Sequence, residues 1–144
     1  MGNEFRVVVN AVITHKGKIL LGKKEEKEGH PISGQWHLPG GHLEEEEEPE
    51  EAIKREVKEE TGLDVTVHQL IDATSQSWNN DAVFQTTFHC EAESLDAEAR
   101  DDIEGVKWVE PENIESETGS FSEKNLEERK ELKKFVQRIQ KAPY

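Results

Sequence analysis

The first part of the chain shows apolar runs interrupted by short polar turns, a pattern that predicts two strands. Phe5 to Thr14 is apolar and rich in β-branched residues, and Lys18 to Lys24 resumes the pattern after a short turn that ends in Gly17. Runs of this kind on either side of a glycine turn are typical of a hairpin. We expect a loop from Lys24 to Gln35, where charged residues give way to Gly, Pro and Ser.

The pattern then becomes helical between Pro49 and Thr61. Ala52, Ile53 and Val57 give this segment one apolar side, and most of its other positions are charged. Its opening proline suits the first turn of a helix, the glutamates around it favour the positive end of the helix dipole, and Gly62 provides a stop. We therefore predict a helix over 49–61.

Further strand patterns follow the helix, and a second helical pattern ends the chain. Asp64 to Ala73 and Ala82 to Cys90 are the next predicted strands, separated by the polar stretch Thr74 to Asp81, and Gly105 to Val109 is a later one. The segment from Glu123 to Gln140 has apolar residues at helical spacing, which predicts an amphipathic helix packed on the sheet. These residues are Leu126, Leu132, Phe135, Val136 and Ile139. Strands combined with two helices in this order predict an α/β fold.

Length and charge restrict the class of protein. A chain of 144 residues lies in the range of one domain, so we expect a single domain over 1–144. The formal charge is −14, with 32 acidic and 18 basic residues. Nucleic-acid polymers and anionic membranes are bound through basic surfaces, so neither is expected as a partner. A small anionic substrate stays compatible, because divalent cations neutralise both it and protein carboxylates.

The sequence shows no targeting signal and one cysteine. Met1 to Asn10 lacks the basic start and long apolar core of a secretory signal, and no stretch approaches the roughly 20 apolar residues of a membrane helix. A cytoplasmic location is therefore expected. Cys90 is the only cysteine, which excludes an internal disulfide and a cysteine-based zinc site, and its place after a strand pattern predicts a small buried residue. The oligomeric state cannot be read from the pattern.

Candidate chemistry lies on the first predicted helix. Glu56, Glu59 and Glu60 stand at i, i+3 and i+4, so a helix places their carboxylates on one face. Mg²⁺ and Mn²⁺ prefer oxygen ligands and keep several waters, so an ion held by such a cluster can also bind a substrate phosphate. The alternative is a solvated face of Glu and Lys pairs, which is the commoner meaning of a charge run.

A fixed pattern around these glutamates favours the metal site. The pattern is G-x5-E-x7-R-E-U-x-E-E-x-G-U, where U is a bulky aliphatic residue, and nine specified positions over 23 residues match it. They are Gly41, Glu47, Arg55, Glu56, Val57, Glu59, Glu60, Gly62 and Leu63. The preceding Leu-Pro-Gly-Gly at 38–41 also fits the usual lead-in. On these residues the chain resembles the Nudix hydrolases.

The resemblance implies an α/β/α sandwich with a mixed sheet and a catalytic loop-helix-loop. Glu56 would be a metal ligand or the base that activates water, and Glu59 and Glu60 would be the principal metal ligands. The Gly40 carbonyl would be a backbone ligand, because a residue without Cβ lets the main chain approach an ion closely. Arg55 would pair with Glu47 and hold Glu56 in orientation, and the alternative for Arg55 is an exposed pair with Glu51 or Glu59 on the same helix. The structural positions of the motif would be Gly41, Glu47 and Gly62.

Two residues outside the motif also correspond to family positions. Relatives often supply an extra acidic residue from a loop before a late Trp-containing strand, and Asp102 is our choice within residues 100–104, ahead of Trp108. Lys23 resembles a basic position that contacts substrate phosphate in some relatives. For Lys23 the alternative is a solvated lysine at the end of a strand.

The resemblance implies hydrolysis, with Mg²⁺ or Mn²⁺ as cofactor, of the pyrophosphate linkage in a nucleoside diphosphate joined to another group X. Our first interpretation is a pyrophosphohydrolase of modified or excess nucleoside triphosphates. ADP-ribose or a nucleotide sugar is the alternative substrate. A non-catalytic nucleotide or metal sensor is the alternative from another class, and it is disfavoured because all three motif glutamates and Arg55 are present.

Overall fold

The computed structural model describes residues 5–26, 28, 34–78, 80–117 and 130–141. Within these residues the strands are β1 (Phe5–His15), β2 (Lys18–Lys24), β3 (Trp36–His37), β4 (Gly40–His42), β5 (Val65–Trp78), β6 (Asp81–Ala92) and β7 (Ile103–Val109). The helices are α1 (Pro49–Thr61), a 3-10 turn (Pro111–Asn113), α2 (Ile114–Glu117) and α3 (Lys130–Lys141).

The described strands form one mixed sheet with the order β3-β2-β1-β6-β5, to which β4 and β7 add as further neighbours of β1 and β2. β1 and β6 are parallel, and all the other pairs are antiparallel. β2 pairs with the end of β1 at Thr14 and His15, whereas β4 pairs with its earlier part, from Val8 to Asn10. The short strand that carries the glycines is thereby held in the sheet beside β1.

Helices cover both faces of this sheet, which confirms the predicted α/β/α sandwich. Successive side chains of a strand point to opposite faces. One core cluster joins α1 to one face of the sheet through Ala52, Ile53, Val57, Val9, Ala11 and Ile13. The other joins α3 to the opposite face through Leu132, Phe135, Val136, Ile139, Val12, Ile19 and Leu21. The predicted apolar residue Leu126 lies outside the described residues.

The bounds of α1 agree with the prediction, and local contacts explain them. The N-cap residue Glu48 is extended, and its N–H donates to Glu51 Oε1 at 3.2 Å, while Pro49 occupies the first turn. At the other end Gly62 adopts a left-handed conformation with φ of 77°, and its N–H donates to the Lys58 carbonyl at 3.0 Å. Each end of the helix is therefore closed by its own residues.

The predicted break between the two middle strands is wrong. β5 continues to Trp78 and β6 begins at Asp81, so the polar stretch from Thr74 onward is mostly strand. Its Ser, Thr and Gln residues pair with 82–85 of β6, whose other edge pairs with β1. Polar side chains are compatible with this strand because β5 lies at the edge of the path and Ser75, Gln76 and Ser77 are exposed.

The last predicted strand, Gly105 to Val109, is present as β7 and begins two residues earlier, at Ile103. Cys90 is fully buried, as predicted. The predicted C-terminal helix is present as α3, and the part of that prediction over 123–129 lies outside the described residues, as do positions 27 and 29–33 of the predicted loop. No helix among the described residues is both long and apolar enough to cross a membrane.

Candidate active site

The glycine turn places its backbone against α1. A Cβ at Gly40 would collide with the Val9 carbonyl oxygen of the neighbouring strand. A Cβ at Gly41 would lie 2.5 Å from the Cδ and 2.5 Å from an oxygen of Glu56. Neither glycine has a positive φ, so close approach and not an unusual backbone conformation requires them. The Glu56 carboxylate thus lies directly against the Gly41 backbone.

Arg55 joins three parts of the motif. Its Nε donates to Glu47 Oε2 at 2.8 Å and its Nη2 donates to Glu47 Oε1 at 3.1 Å, which makes a two-point pair. Its Nη1 donates to Glu56 Oε1 at 2.8 Å, and its Nη2 also donates to the His42 carbonyl at 3.2 Å. The predicted alternative partner Glu59 accepts from the same Nη1 at 3.3 Å. A planar guanidinium with several partners fixes the carboxylate orientations more firmly than one surface pair could.

The backbone of Gly40 holds the Glu60 side chain in place. Its side chain is 5% exposed, and its Oε1 accepts a hydrogen bond from the Gly40 N–H at 2.9 Å. Burial raises the pKa of Glu60 to about 8, against the lowering effect of that hydrogen bond. Burial also raises the pKa of Glu56, although the Arg55 hydrogen bond opposes it. Burial therefore disfavours the charged form of both carboxylates, and a cation placed next to them would favour it.

This donor set fits a hard divalent cation, because carboxylate and carbonyl oxygens are its preferred ligands. In the part of the chain that the structure describes, no three His, Cys, Asp or Glu side chains converge closely enough to hold a metal ion as they stand. Arg55 Nη1 lies between Glu56 and Glu59. The Glu59 side chain is 46% exposed, so it has room to change rotamer toward a cation.

The two predicted residues outside the motif are engaged in ion pairs. Asp102 pairs with Lys24, and Lys23 pairs with Glu104 at 3.2 Å. The metal-site role of Asp102 and the phosphate-binding role of Lys23 therefore stay predictions. Lys23 is half-exposed, whereas its neighbour Lys24 is buried.

Two residues that the sequence reasoning did not select act on the glutamate cluster. The charge of Asp101 raises the pKa of both Glu56 and Glu60, as a smaller contribution than burial. The charge of Lys24 lowers the pKa of Glu60. Asp101 is the immediate neighbour of the selected Asp102, and Lys24 is the immediate neighbour of the selected Lys23. No signal in the sequence shows which member of each pair faces the glutamates. Strand register and the left-handed φ of 55° at Asp101 decide which one does.

The fold and the site together define a Nudix pyrophosphohydrolase. The NUDIX domain family matches residues 4–135, and the chain belongs to that family. Nudix hydrolases act on small nucleotide substrates and generally use divalent metals such as Mg²⁺.

The chain is similar to several curated relatives and solved structures. The chain is 31% identical over 123 residues to nucleoside triphosphatase NudI of Salmonella agona strain SL483, with 76% of this chain and 84% of the relative covered. The MutT protein from Methanosarcina mazei Go1 has a TM-score of 0.76 at 23% identity, covering 96% of this chain and 95% of that one. An ADP-ribose pyrophosphatase from Streptococcus suis 89-1591 has a TM-score of 0.57 at 20% identity, covering 74% and 75%. At these identities the two structural likenesses concern the fold alone.

Proposed function

We propose that this enzyme is a nucleoside triphosphate pyrophosphohydrolase that depends on Mg²⁺ or Mn²⁺. The observation that carries the reaction class is the contact network of Arg55 with Glu47 and Glu56 beside the buried Glu60. The choice of triphosphate is supported by the likeness to NudI, which extends over 84% of that relative. Water would attack one phosphorus of the substrate, and the products would be a nucleoside monophosphate and pyrophosphate.

We assign the metal ligands to Glu56, Glu59 and Glu60, with the Gly40 carbonyl as a backbone ligand. A bound divalent cation would neutralise phosphate oxygens and lower the pKa of a water molecule. Glu60 is suited to this task because burial and the Gly40 N–H restrict its position before any ligand binds. Glu59 is the more adaptable ligand, since nearly half of its side chain is exposed.

Arg55 and Glu56 would act on the attacking water. A general base must lie within hydrogen-bond reach of the proton that it accepts. Arg55 holds one oxygen of Glu56 at 2.8 Å, which leaves the second oxygen to accept that proton. Glu59 is the alternative base, because it lies on the same side of the helix and also contacts Arg55.

Positive charge for the substrate phosphates would come from β2. Lys23 remains our proposal from the sequence, and Lys24 joins it because its charge acts on Glu60 and it lies buried next to Asp102. For the extra acidic group we propose Asp101 beside Asp102. Asp101 acts electrostatically on Glu56 and Glu60, and its side chain is exposed and able to reorient.

The test is product-resolved hydrolysis, with Mg²⁺, of ordinary and oxidised nucleoside triphosphates, ADP-ribose, nucleotide sugars and NADH. Glu59→Gln should lose metal-dependent turnover because it removes a charged ligand. Glu50→Gln is the matched control, since it makes the same chemical change at an exposed position in the first turn of α1. It should retain turnover.

The pattern of products decides between the interpretations. Preferred release of pyrophosphate from a triphosphate supports the proposal. Preferred hydrolysis of ADP-ribose or a nucleotide sugar supports the alternative substrate and contradicts the triphosphate. Nucleotide and Mg²⁺ binding without turnover of any compound would establish the sensor.

A further inference from the structure

The last turn of α1 is closed by a loop from a distant part of the chain. The Arg100 N–H donates to the Glu60 carbonyl at 2.9 Å, and the Glu98 N–H donates to the Thr61 carbonyl at 2.9 Å. The final carbonyls of a helix have no partner within the helix. Residues 98–100 supply these partners, and one of the two carbonyls belongs to a proposed metal ligand.

The Arg100 side chain lies over the glycine that ends the helix. A Cβ at Gly62 would be 2.8 Å from Cζ and 3.0 Å from Nε of Arg100. The guanidinium is therefore in contact with the Gly62 backbone, at the negative end of the helix dipole, where a cation is favoured. The left-handed φ of 77° explains why Gly62 ends the helix, and the contact with Arg100 is a second reason for the absence of a side chain.

The loop is also attached at its other end. The Ile103 N–H donates to the Arg100 carbonyl at 3.0 Å, and the Glu25 N–H donates to the Asp102 carbonyl at 3.0 Å. Asp102 pairs through its side chain with Lys24 at the end of β2. Residues 98–103 thus form a strap, a short segment fixed to the end of α1 and to the end of β2.

Glu60 is consequently fixed at two points. Its carboxylate accepts from the Gly40 N–H of the glycine turn, and its main-chain carbonyl accepts from the Arg100 N–H of the strap. If the Arg100 side chain no longer rested on Gly62, the strap would lose its side-chain contact with the helix end and would be held there only by the two backbone hydrogen bonds. The backbone of Glu60 would then gain freedom, and its carboxylate would move relative to the other oxygen donors.

We propose that Arg100 is a positioning residue for the metal site, which acts by resting its guanidinium on Gly62 and so holding the last turn of α1 against the strap. The inference depends on the metal-binding role proposed for Glu60. Residues that support metal ligands typically affect metal affinity by about 10- to 100-fold, and we expect a loss of about tenfold because Arg100 acts through the backbone.

The experiment measures Mn²⁺ binding to the nucleotide-free protein by electron paramagnetic resonance of free Mn²⁺, together with the thermal midpoint. Arg100→Ala should weaken Mn²⁺ binding by about tenfold. Arg100→Lys keeps a long cationic side chain and should lose less, and it serves if the alanine variant folds poorly. Arg138→Ala removes the same charge from α3, on the opposite face of the sheet, and should bind Mn²⁺ as the wild type does.

A double-variant cycle adds a test specific to the contact. Gly62→Ala places a methyl group where the Arg100 guanidinium lies, so it should displace that side chain and weaken Mn²⁺ binding. Once Gly62→Ala has displaced Arg100, the further change Arg100→Ala should weaken binding very little. A loss of Mn²⁺ affinity in the double variant that is smaller than the sum of the two single losses, expressed as free energies, therefore supports the proposal.

Other results overturn it. If Arg100→Ala lowers the thermal midpoint but leaves Mn²⁺ affinity unchanged, Arg100 has only a structural role. Independent losses from the two substitutions would exclude the Gly62 contact as the cause. If the wild type itself binds no Mn²⁺ and hydrolyses no nucleotide, the proposed function fails together with this inference, and this result is distinct from failure of Arg100 alone.

Discussion

At the scale of single residues, the site depends on two glycines, because other side chains occupy the space where a Cβ would lie. Gly41 and Gly62 both belong to the motif, but different physical requirements apply to them. Gly62 has a positive φ and a guanidinium above it, whereas Gly41 has an ordinary φ and a carboxylate against its Cα. Substitution at Gly41 should therefore report on the orientation of Glu56 more directly than on the stability of a turn.

Gly41→Ala should reduce kcat/KM by about 100-fold, because a misplacement of about 1 Å at a reacting group has effects of that size. The new Cβ would stand 2.5 Å from the Glu56 carboxylate, which must move away. Steady-state kinetics and circular dichroism would check this. Gly22→Ala is the matched control, since its Cβ would make ordinary contacts of 3.4 Å or more with Ile103. Equal activity in both variants would contradict the steric argument.

Neighbouring residues also have different environments at this scale. Asp101 influences the pKa of two glutamates, while Asp102 pairs with Lys24. Lys24 is buried, while Lys23 is half-exposed beside Glu104. Sequence reasoning selected Asp102 and Lys23, and it had no basis for comparing either one with the residue next to it. That choice depends on backbone torsion and strand register, which the rest of the sheet determines.

At the scale of elements, a histidine of the sheet contacts the helix α3. The ring of His89 lies 4.8 Å from that of Phe135 on α3 and 5.0 Å from that of His68 on β5. His89 Nε2 is 2.8 Å from Thr14 Oγ1, and His68 pairs with Glu91 at 2.8 Å. Burial, and then the charge of His68, lower the pKa of His89 to about 4. A neutral His89 is thus part of the packing between helix and sheet.

This lowered pKa predicts a loss of stability in mild acid. The unfolded chain binds a proton at His89 below about pH 6.5, while the folded protein binds it only below about 4. Between these values the unfolded state holds more protons, so this contribution to the free energy of unfolding decreases as the pH falls. Urea midpoints at about pH 7 and about pH 5 should therefore differ less in His89→Gln than in the wild type. The same difference in both proteins would show that His89 does not titrate this way.

At the scale of the whole molecule, negative charge is in large excess. The net charge is −14, and several of the 18 basic residues are used in local pairs, including Arg55 with Glu47 and Arg6 with Asp81 at 2.8 Å. Repulsion among the remaining carboxylates opposes the compact state. Salt strongly screens the repulsion between exposed charges that lie far apart. It screens partly buried ion pairs in direct contact much less.

The thermal midpoint should therefore rise between about 0.01 M and about 1 M NaCl, as the Debye length falls from about 30 Å to about 3 Å. Differential scanning calorimetry measures it directly. Glu45→Lys reverses one exposed charge in the acidic run and should raise the midpoint at low salt while making its salt dependence shallower. A midpoint that falls with salt in both proteins would mean that local ion pairs outweigh the net repulsion.

The sequence by itself determined the helix that carries the motif, the spacing of its glutamates, the location of most strands along the chain and the family. Those features are local, since periodicity, the proline at the start of α1 and Gly62 at its end act within a few residues. Only the tertiary structure decided that β5 extends through its polar half, that Gly41 meets Glu56, and that Arg100 lies on Gly62. Each of these depends on contacts between segments far apart in the chain, and the register of the sheet sets which side chains meet.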